Sequence, residues 1–230
     1  MDKIKLTVHS SQTPISLSRT AQIAGLGLLI MALTVPFAEF YIFPKLIGEN
    51  PAETTKNIVT NKILFTSGIF LHFITLLCDI IVAWALYLFF KPVHKGLSLL
   101  AAWFRLTYTA MYLVALSNLM KTLNLINQPK LLENCQQLDT VVFFINSFKL
   151  EWSFGLIIFG SYLLLLGYLI YRSAYVPKVI GVLVLLAGLG YVVHTLGIFF
   201  SPETNLDLLF ITFFGELIFM VWLLVRGSKI

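Results

Sequence analysis

The sequence predicts an all-α integral membrane protein with six transmembrane helices, and three observations lead to this fold class. Hydrophobic residues make up 58% of the chain and charged residues only 12%, whereas soluble domains carry about 25% charged residues. The apolar residues form six runs, each near the length of about 20 residues that crosses a bilayer. Three ionisable residues, Asp79, Arg105 and Glu216, lie inside these runs.

The chain starts with a polar segment, 1–18, followed directly by the first apolar run, about 20–43. Because no short apolar stretch with a small-residue cleavage site follows the polar segment, we interpret it as a retained cytoplasmic tail. The first run contains Pro36, which predicts a kink and a free backbone carbonyl one turn earlier. Glu39 follows within one turn of this proline.

Turn and capping residues set the limits of the later helices. Asn50 and Pro51 have the pattern of an N-cap followed by a first-turn proline, which predicts a short outer helix over about 51–61. The tight turn 91–96 predicts that the second and third membrane helices are antiparallel neighbours. After the first run, the predicted spans are 63–90, 97–120, 152–171, 177–200 and 206–225.

An amphipathic pattern precedes the fourth span, over about 130–149. Its apolar residues recur at helical spacing, and polar residues occupy the other faces. We therefore expect an outer amphipathic helix that lies on the membrane or leads into it. The predicted apolar face consists of Leu131, Cys135, Leu138, Val142, Ile145 and Phe148.

Glycine spacing predicts how the fifth span packs. Gly181 and Gly188 are seven residues apart, about two helical turns, so they lie on one face. Small residues let membrane helices approach closely. We interpret this face as a packing surface and expect the fifth helix to be central in the bundle.

The distribution of Lys and Arg predicts the orientation. With the N-terminus inside, the cytoplasmic segments contain nine basic residues and the outer segments five. The excess predicts that both termini are cytoplasmic. The expected organisation is a cytoplasmic tail over 1–18, a single transmembrane domain over 19–227 and a short cytoplasmic end over 228–230.

The ionisable residues inside the spans form the first candidate site. At a rise of about 1.5 Å per residue, Asp79, Arg105 and Glu216 lie at similar depth, roughly 13 to 16 Å from the cytoplasmic side. Asp79 and Arg105 are on neighbouring helices, which predicts an ion pair. Glu216 joins them only if the sixth helix packs alongside. Tyr108 and Tyr112 share a helical face with Arg105.

Two interpretations of this charge set remain open. Intramembrane charges usually face the bundle interior with a partner, so the set can simply fix the packing of the helices. Alternatively, it lines a polar pocket that binds a ligand head group or relays protons. The tyrosines support the second interpretation only weakly, because aromatic residues at helical spacing are usually core residues.

A second polar set lies toward the outer side and consists of Glu39, His72 and His194. Two histidines and a carboxylate are suitable zinc ligands and could activate a water molecule. No two of them have a local ligand spacing, however, and single helical histidines usually bond a neighbouring hydroxyl or carbonyl. The sequence therefore favours no metal site, and we expect no cofactor.

Other function classes have no sequence support. The chain has no basic patch interleaved with aromatics, so nucleic acid is not an expected partner. It has no nucleotide-binding loop or serine nucleophile motif. The expected function is non-enzymatic binding or movement of a small or lipidic ligand in the bilayer. An intramembrane metal-dependent hydrolase and a non-catalytic scaffold subunit are the alternatives, and the oligomeric state is not predicted.

Several strings give the chain a family resemblance. They are AEF (38–40), LLCDIIVAWALYLFFKPV (76–93), AAWFRL (101–106), LLLLGYLIYRSAYVPKVIGVLVLLAGLGY (163–191) and GELIFMVWLLVRG (215–227). Together they resemble the prokaryotic membrane family named domain of unknown function 4386 (DUF4386), over about 19–227. The resemblance implies a multi-pass protein of the bacterial cytoplasmic membrane and no particular activity. Glu39, Asp79, Arg105 and Glu216 match the family pattern, whereas His194 departs from it.

Overall fold

A computed structural model of the chain describes residues 16–128, 135–200 and 213–229. The regular elements within these ranges are all helical, which confirms the predicted fold class. The predicted tail, except its last three residues, and the predicted stretches 130–134 and 206–212 lie outside the described residues. The α-helices are α1 Leu17–Phe37, α2 Pro51–Thr60, α3 Lys62–Phe90, α4 Lys95–Leu125, α5 Cys135–Arg172, α6 Lys178–Phe200 and α7 Phe214–Val225.

The six longer helices form a closed ring. Each helix from α3 to α7 packs against the next one in this order, and both α3 and α7 pack against α1. The predicted antiparallel pairing of α3 and α4 is confirmed by these contacts. We call one end of the ring the turn end, because it contains the short connections 91–94 and 173–177. The opposite end, which contains α2 and residues 43–50, is the loop end.

The helix lengths match a protein that spans a membrane several times. Five helical segments are long and apolar enough to cross, with α1 continuing through shorter turns to Lys45. The described part of the sixth span, α7, is apolar but has only 12 residues. The chain is therefore an all-α, multi-pass membrane protein. The cytoplasmic location of both termini stays a prediction.

The predicted amphipathic helix is continuous with the fourth span. Together they form α5, which has 38 residues and is about 57 Å long, well beyond the ~30 Å hydrocarbon core. The first half of α5 packs against α2 and α4. The predicted apolar face was partly wrong, because Cys135 is exposed and Val141 is buried in place of Val142.

Helix α2 starts as its capping residues predict. The side chain of Asn50 accepts a hydrogen bond from the Glu53 backbone N–H at 2.8 Å, and Pro51 occupies the first turn, where its missing N–H costs nothing. The Glu53 carboxylate accepts a bond from the Glu49 N–H at 2.9 Å. This local network fixes the connection between the first and second spans.

Glycines allow close packing of α5 and α6, as the spacing of Gly181 and Gly188 predicts. A Cβ atom on Gly188 would lie 2.8 Å from the Gly160 carbonyl oxygen, and one on Gly167 would lie 2.8 Å from that of Gly181. Real Cβ atoms do not approach backbone this closely. The two backbones therefore touch at two levels, and a larger side chain at either level would separate the helices.

The first span changes its helix type shortly after Pro36, and the predicted kink stays a prediction. Because proline has no N–H to donate to the preceding turn, the α-helical pattern cannot continue unchanged. Helix α1 ends at Phe37 and passes into a π-helix, Ala38–Ile42, and then a 3-10 turn, Phe43–Lys45. Helical insertions of this kind recur at functional sites. The π-helix carries Glu39 into the bundle.

Candidate functional site

The register of α3 and α4 places two polar pairs across the same hairpin. Asp79 pairs with Arg105, and His72 pairs with Tyr112. On both helices the two pairs are seven residues apart, about two turns or 10 Å. We call Asp79, Arg105 and Tyr162 the central set. We call Glu39, His72 and Tyr112 the loop-end set, because they lie nearer that end.

The predicted ion pair is present in the central set. Arg105 Nη2 lies 2.5 Å from Asp79 Oδ1, and Arg105 Nη1 donates a hydrogen bond to the Tyr162 hydroxyl at 2.8 Å. Arg105 is 1% exposed and Asp79 is fully buried. The guanidinium also approaches Met31 Sδ of α1, at 3.6 Å. Arg105 thus joins α1, α3, α4 and α5.

The surroundings of the central set are filled by protein. A cavity beside Tyr162 has a volume of about 10 Å³, near the lower limit for a single water molecule. Asp79 Oδ2 and Arg105 Nε have no hydrogen-bond partner among the described residues. The arrangement resembles a buried ion pair that fixes helix packing more than an open ligand pocket.

Tyr108 lies between the two sets, on the same predicted face of α4 as Tyr112. Tyr108 accepts a hydrogen bond from Trp152 Nε1 at 3.0 Å, and the Tyr112 ring stacks on Trp152 with centroids 5.3 Å apart. Between α1 and α3, the hydroxyls of Thr34 and Thr75 lie 2.8 Å apart and join the two helices. Packing and short polar contacts therefore occupy the space between the sets.

The loop-end set is a chain of three polar side chains. His72 Nδ1 shares a hydrogen bond with the Tyr112 hydroxyl, and His72 Nε2 lies 3.2 Å from Glu39 Oε1. His72 is fully buried, whereas the side chain of Glu39 is 20% exposed. Glu39 is therefore the member of this set through which solvent or a ligand can reach the histidine.

Four aromatic rings surround the imidazole of His72. Their centroids lie 5.2 to 5.9 Å from its own. Such a wall excludes water from the imidazole. Glu39 Oε1 and His72 Nε2 are close to each other but form no hydrogen bond among the described residues. The rings belong to Phe43, Tyr112, Phe148 and Trp152.

Glu216 and His194 lie on the α6–α7 side of the ring. Glu216 is half-buried, shares a hydrogen bond with Tyr191, and lies within electrostatic range of Arg105 and Asp79. In the described ranges it forms no ion pair with Arg105. His194 is one helical turn from Tyr191. It does not join Glu39 and His72, since the described residues contain no group of three potential metal ligands.

A groove opens sideways between the end of α1 and the start of α3. Its volume is about 740 Å³. Two of its wall residues, Phe37 and Ile42, flank Glu39 in sequence, and a third, Leu71, precedes His72, so the groove adjoins the loop-end set. Its lining is mostly apolar and consists of Phe37, Ile42, Lys62, Ile63, Leu64, Thr66, Ser67, Phe70 and Leu71.

Comparison with known proteins identifies the family. The model of the family described as domain of unknown function (DUF4386) matches residues 23–227. The chain belongs to the DUF4386 family. An uncharacterised protein of Archaeoglobus fulgidus is 32% identical over 158 residues, which are 69% of this chain and 82% of that protein. No solved structure matches the chain. The resemblance predicted from the sequence strings is thus confirmed.

Sequence reasoning missed several residues that complete the two sets in this DUF4386 protein. Trp152 looks like an interfacial anchor in the sequence, but it is partly buried and bonds Tyr108. Tyr162, which bonds Arg105, was not singled out. One signal was available, because aromatic residues recur along α5 at helical spacings of three, four or seven residues. They are Phe148, Trp152, Phe159 and Tyr162.

Proposed function

We propose that this DUF4386 protein binds a lipidic molecule with an acidic head group in the groove beside the loop-end set. The observation that carries the proposal is the groove itself, which is mostly apolar, opens sideways and is lined by neighbours in sequence of Glu39 and His72. Binding sites of this kind combine apolar walls with a few polar groups. The central set is less suitable, because its two opposite charges are paired with each other and buried.

The charge at the groove favours an acidic head group. Lys62 is the one charged residue in the groove lining and is exposed. A basic residue near a membrane surface attracts anionic lipid by about 1 kcal/mol. The acyl chain would lie along Ile63, Phe70 and Leu71, whose apolar surface faces the bilayer side of the bundle.

The π-helix connects the groove to the loop-end set. Phe37 and Ile42, on the wall of the groove, belong to the same broken segment that carries Glu39. The contact between Glu39 and His72 therefore sets the position of this wall relative to α3. A molecule that enters the groove would press on the segment that the pair holds, so binding could be transmitted to the bundle interior.

A groove-filling variant tests this proposal. Ser67 is exposed and lines the groove, so Ser67→Trp would occupy it without disturbing the core. Ile81→Trp is the matched control, because Ile81 is also exposed and lies on nearly the same face of α3, about 21 Å away. Native mass spectrometry of the purified full chain would count bound phosphatidylglycerol and phosphatidylcholine.

The expected result is a loss of bound phosphatidylglycerol in Ser67→Trp, with binding retained in Ile81→Trp and in the unmodified protein. Lys62→Glu should reduce the preference for phosphatidylglycerol over phosphatidylcholine by up to about fivefold, the effect of about 1 kcal/mol. Equal lipid binding by both tryptophan variants would contradict the proposal. Loss of binding in both would also contradict it, because the loss would then not depend on the groove.

A further inference from the structure

Glu216 is an ionisable residue that neither polar set uses. We propose that its carboxyl group is a proton-binding site inside the membrane-spanning bundle, which takes up and releases one proton. The site is separate from the groove and does not depend on lipid binding. The argument rests on the number of charges in the bundle interior, on the contacts of Glu216 and on its exposure.

Among the described residues near the centre of the bundle, Asp79 and Glu216 are carboxyl groups, whereas Arg105 is the one Lys or Arg side chain close to them. Arg105 lies 2.5 Å from Asp79 and is almost fully buried, so its charge is already matched. The other ion pair in the described residues joins His72 and Glu39. The sequence just before α7, 201–212, contains no Lys, Arg or His. A charged Glu216 would therefore have no basic partner of its own in these segments.

The groups that face Glu216 give it no full positive charge of its own. On α6, Tyr191 shares a hydrogen bond with it, and His194 follows one turn later. From α3 and α4, Arg105 attracts a carboxylate more strongly than Asp79 repels it, but Arg105 is already paired with Asp79. Helix α1 has no ionisable residue between Arg19 and Glu39. The remaining titratable neighbours are Tyr108 on α4 and Tyr162 on α5.

The dipole at the start of α7 favours the charged form of the Glu216 carboxyl, but only in part. Glu216 is in the first turn of α7, where the helix dipole contributes a fraction of a positive charge, about half a unit at most. A full negative charge in the membrane interior needs a full partner. The neutral carboxyl, in contrast, satisfies its environment through the hydrogen bond with Tyr191. Protonation and deprotonation are thus both accessible, which is what an exchange site requires.

Glu216 and Asp79 differ in how much of the residue is exposed at the protein surface. Asp79 is fully buried and paired, whereas Glu216 is half-buried. Part of the Glu216 residue therefore reaches the surface of the described bundle, where a small apolar reagent can contact it. Intramembrane carboxyls with these properties are used to relay protons in pumps and transporters.

A hydrophobic carbodiimide tests the site on the full chain in detergent. Dicyclohexylcarbodiimide reacts with protonated carboxyl groups. The carboxyl proton moves to a carbodiimide nitrogen and the carboxyl oxygen bonds the central carbon. The acyl group then shifts from oxygen to nitrogen and leaves a stable N-acylurea. No atom departs, so peptide mass spectrometry locates the adduct on the unmutated protein.

We expect labelling at Glu216 and not at Asp79, with a decline of about tenfold per pH unit above the midpoint. Glu216→Gln should abolish it, and Glu151→Gln, another half-buried glutamate, should leave it unchanged. Absence of labelling at Glu216 from pH 5 to 8 would overturn the proposal. Protection by sodium ions at constant pH would also overturn it, because the group would then be a metal cation site.

Discussion

The central set and the loop-end set are built on the same two helices, two turns apart, and they differ in how their charges meet the surroundings. Both members of the Asp79–Arg105 pair are removed from solvent. In the Glu39–His72 pair the histidine is buried but the carboxylate is partly exposed. The first carboxylate comes from a continuous helix, α3. The second comes from a π-helix that follows a proline.

This difference indicates different roles. A fully buried ion pair has no contact with solvent or with a ligand from outside. Its main role is therefore to hold the four helices that contact Arg105 in one arrangement. The loop-end pair has access to the outside, adjoins a groove and depends on a helix segment that is already broken. We therefore expect the loop-end set to take part in ligand binding and the central set to stabilise the fold.

The largest effect should follow from breaking the central pair. Asp79→Asn or Arg105→Gln leaves one buried charge without its partner, a change that costs about 3–5 kcal/mol. The expected outcome is a large drop in thermal stability in detergent. The double variant should lose less than the sum of the single losses, because the two residues are coupled. Strictly additive losses would contradict the assignment of this pair as a structural unit.

A smaller loss should follow from Tyr162→Phe. This substitution removes a hydroxyl that accepts a 2.8 Å hydrogen bond from Arg105 and keeps the ring. Hydrogen bonds to charged groups contribute about 1.5–3 kcal/mol. Thermal unfolding would measure the effect, with Tyr168→Phe as the control, because Tyr168 is 45% exposed on the same helix. If the two variants were equally stable, the bond from Arg105 would contribute nothing.

In the loop-end set, Glu39→Gln is the change that corresponds to Asp79→Asn in the central set. It should lower the stability of the protein less than Asp79→Asn does. Glu39→Gln keeps an oxygen that can accept a bond from His72, and the position is partly exposed. We expect a stability loss of about 1 kcal/mol or less, the range of exposed pairs. If the proposed groove site is correct, bound phosphatidylglycerol should rise by up to about fivefold, because a negative charge beside the anionic head group is removed. If Glu39→Gln lowered the stability as much as Asp79→Asn does, the proposed difference between the two sets would be wrong.

The smallest effect concerns a tyrosine at the turn end. The Tyr175 hydroxyl donates to the Phe89 carbonyl oxygen at 2.7 Å, and burial raises the pKa of Tyr175 to about 12. Since folding favours the protonated form, this contribution is complete below pH 10, the usual tyrosine pKa, and is lost as the pH rises toward 12. Unfolding temperatures from pH 8 to 11 should fall more for the unmodified chain than for Tyr175→Phe. Parallel pH curves would contradict this.

The sequence was informative where the chemistry is local or strongly constrained. Apolar run length predicted the spans, Asn50 and Pro51 predicted the start of α2, and the tight turn before α4 brought Asp79 and Arg105 together. The contact of Glu39 with His72 could not be predicted, because it depends on the π-helix that follows Pro36. Tyr162 was missed because nothing local distinguishes a packing tyrosine from one that reaches across to another helix.

The boundary between the amphipathic segment and the fourth span was another feature beyond sequence reasoning. Lys149 and Glu151 look like the edge of a membrane segment, yet α5 runs through them without interruption. Glu151 is held by Asn118 of α4, which donates a 2.8 Å hydrogen bond to it. No proline or glycine breaks the helix there, and tertiary contacts supply the partners that water would have provided.

The closed ring also has a consequence for biosynthesis. The ribosome makes α1 first and α7 last, and these two helices are neighbours in the finished bundle. Asp79 and Arg105, in contrast, leave the ribosome on adjacent helices joined by a four-residue turn. Each charge alone would cost about 2.5–3.5 kcal/mol to insert. The two helices can therefore enter the bilayer as one neutralised hairpin, while the site beside α1 stays vacant until α7 is made.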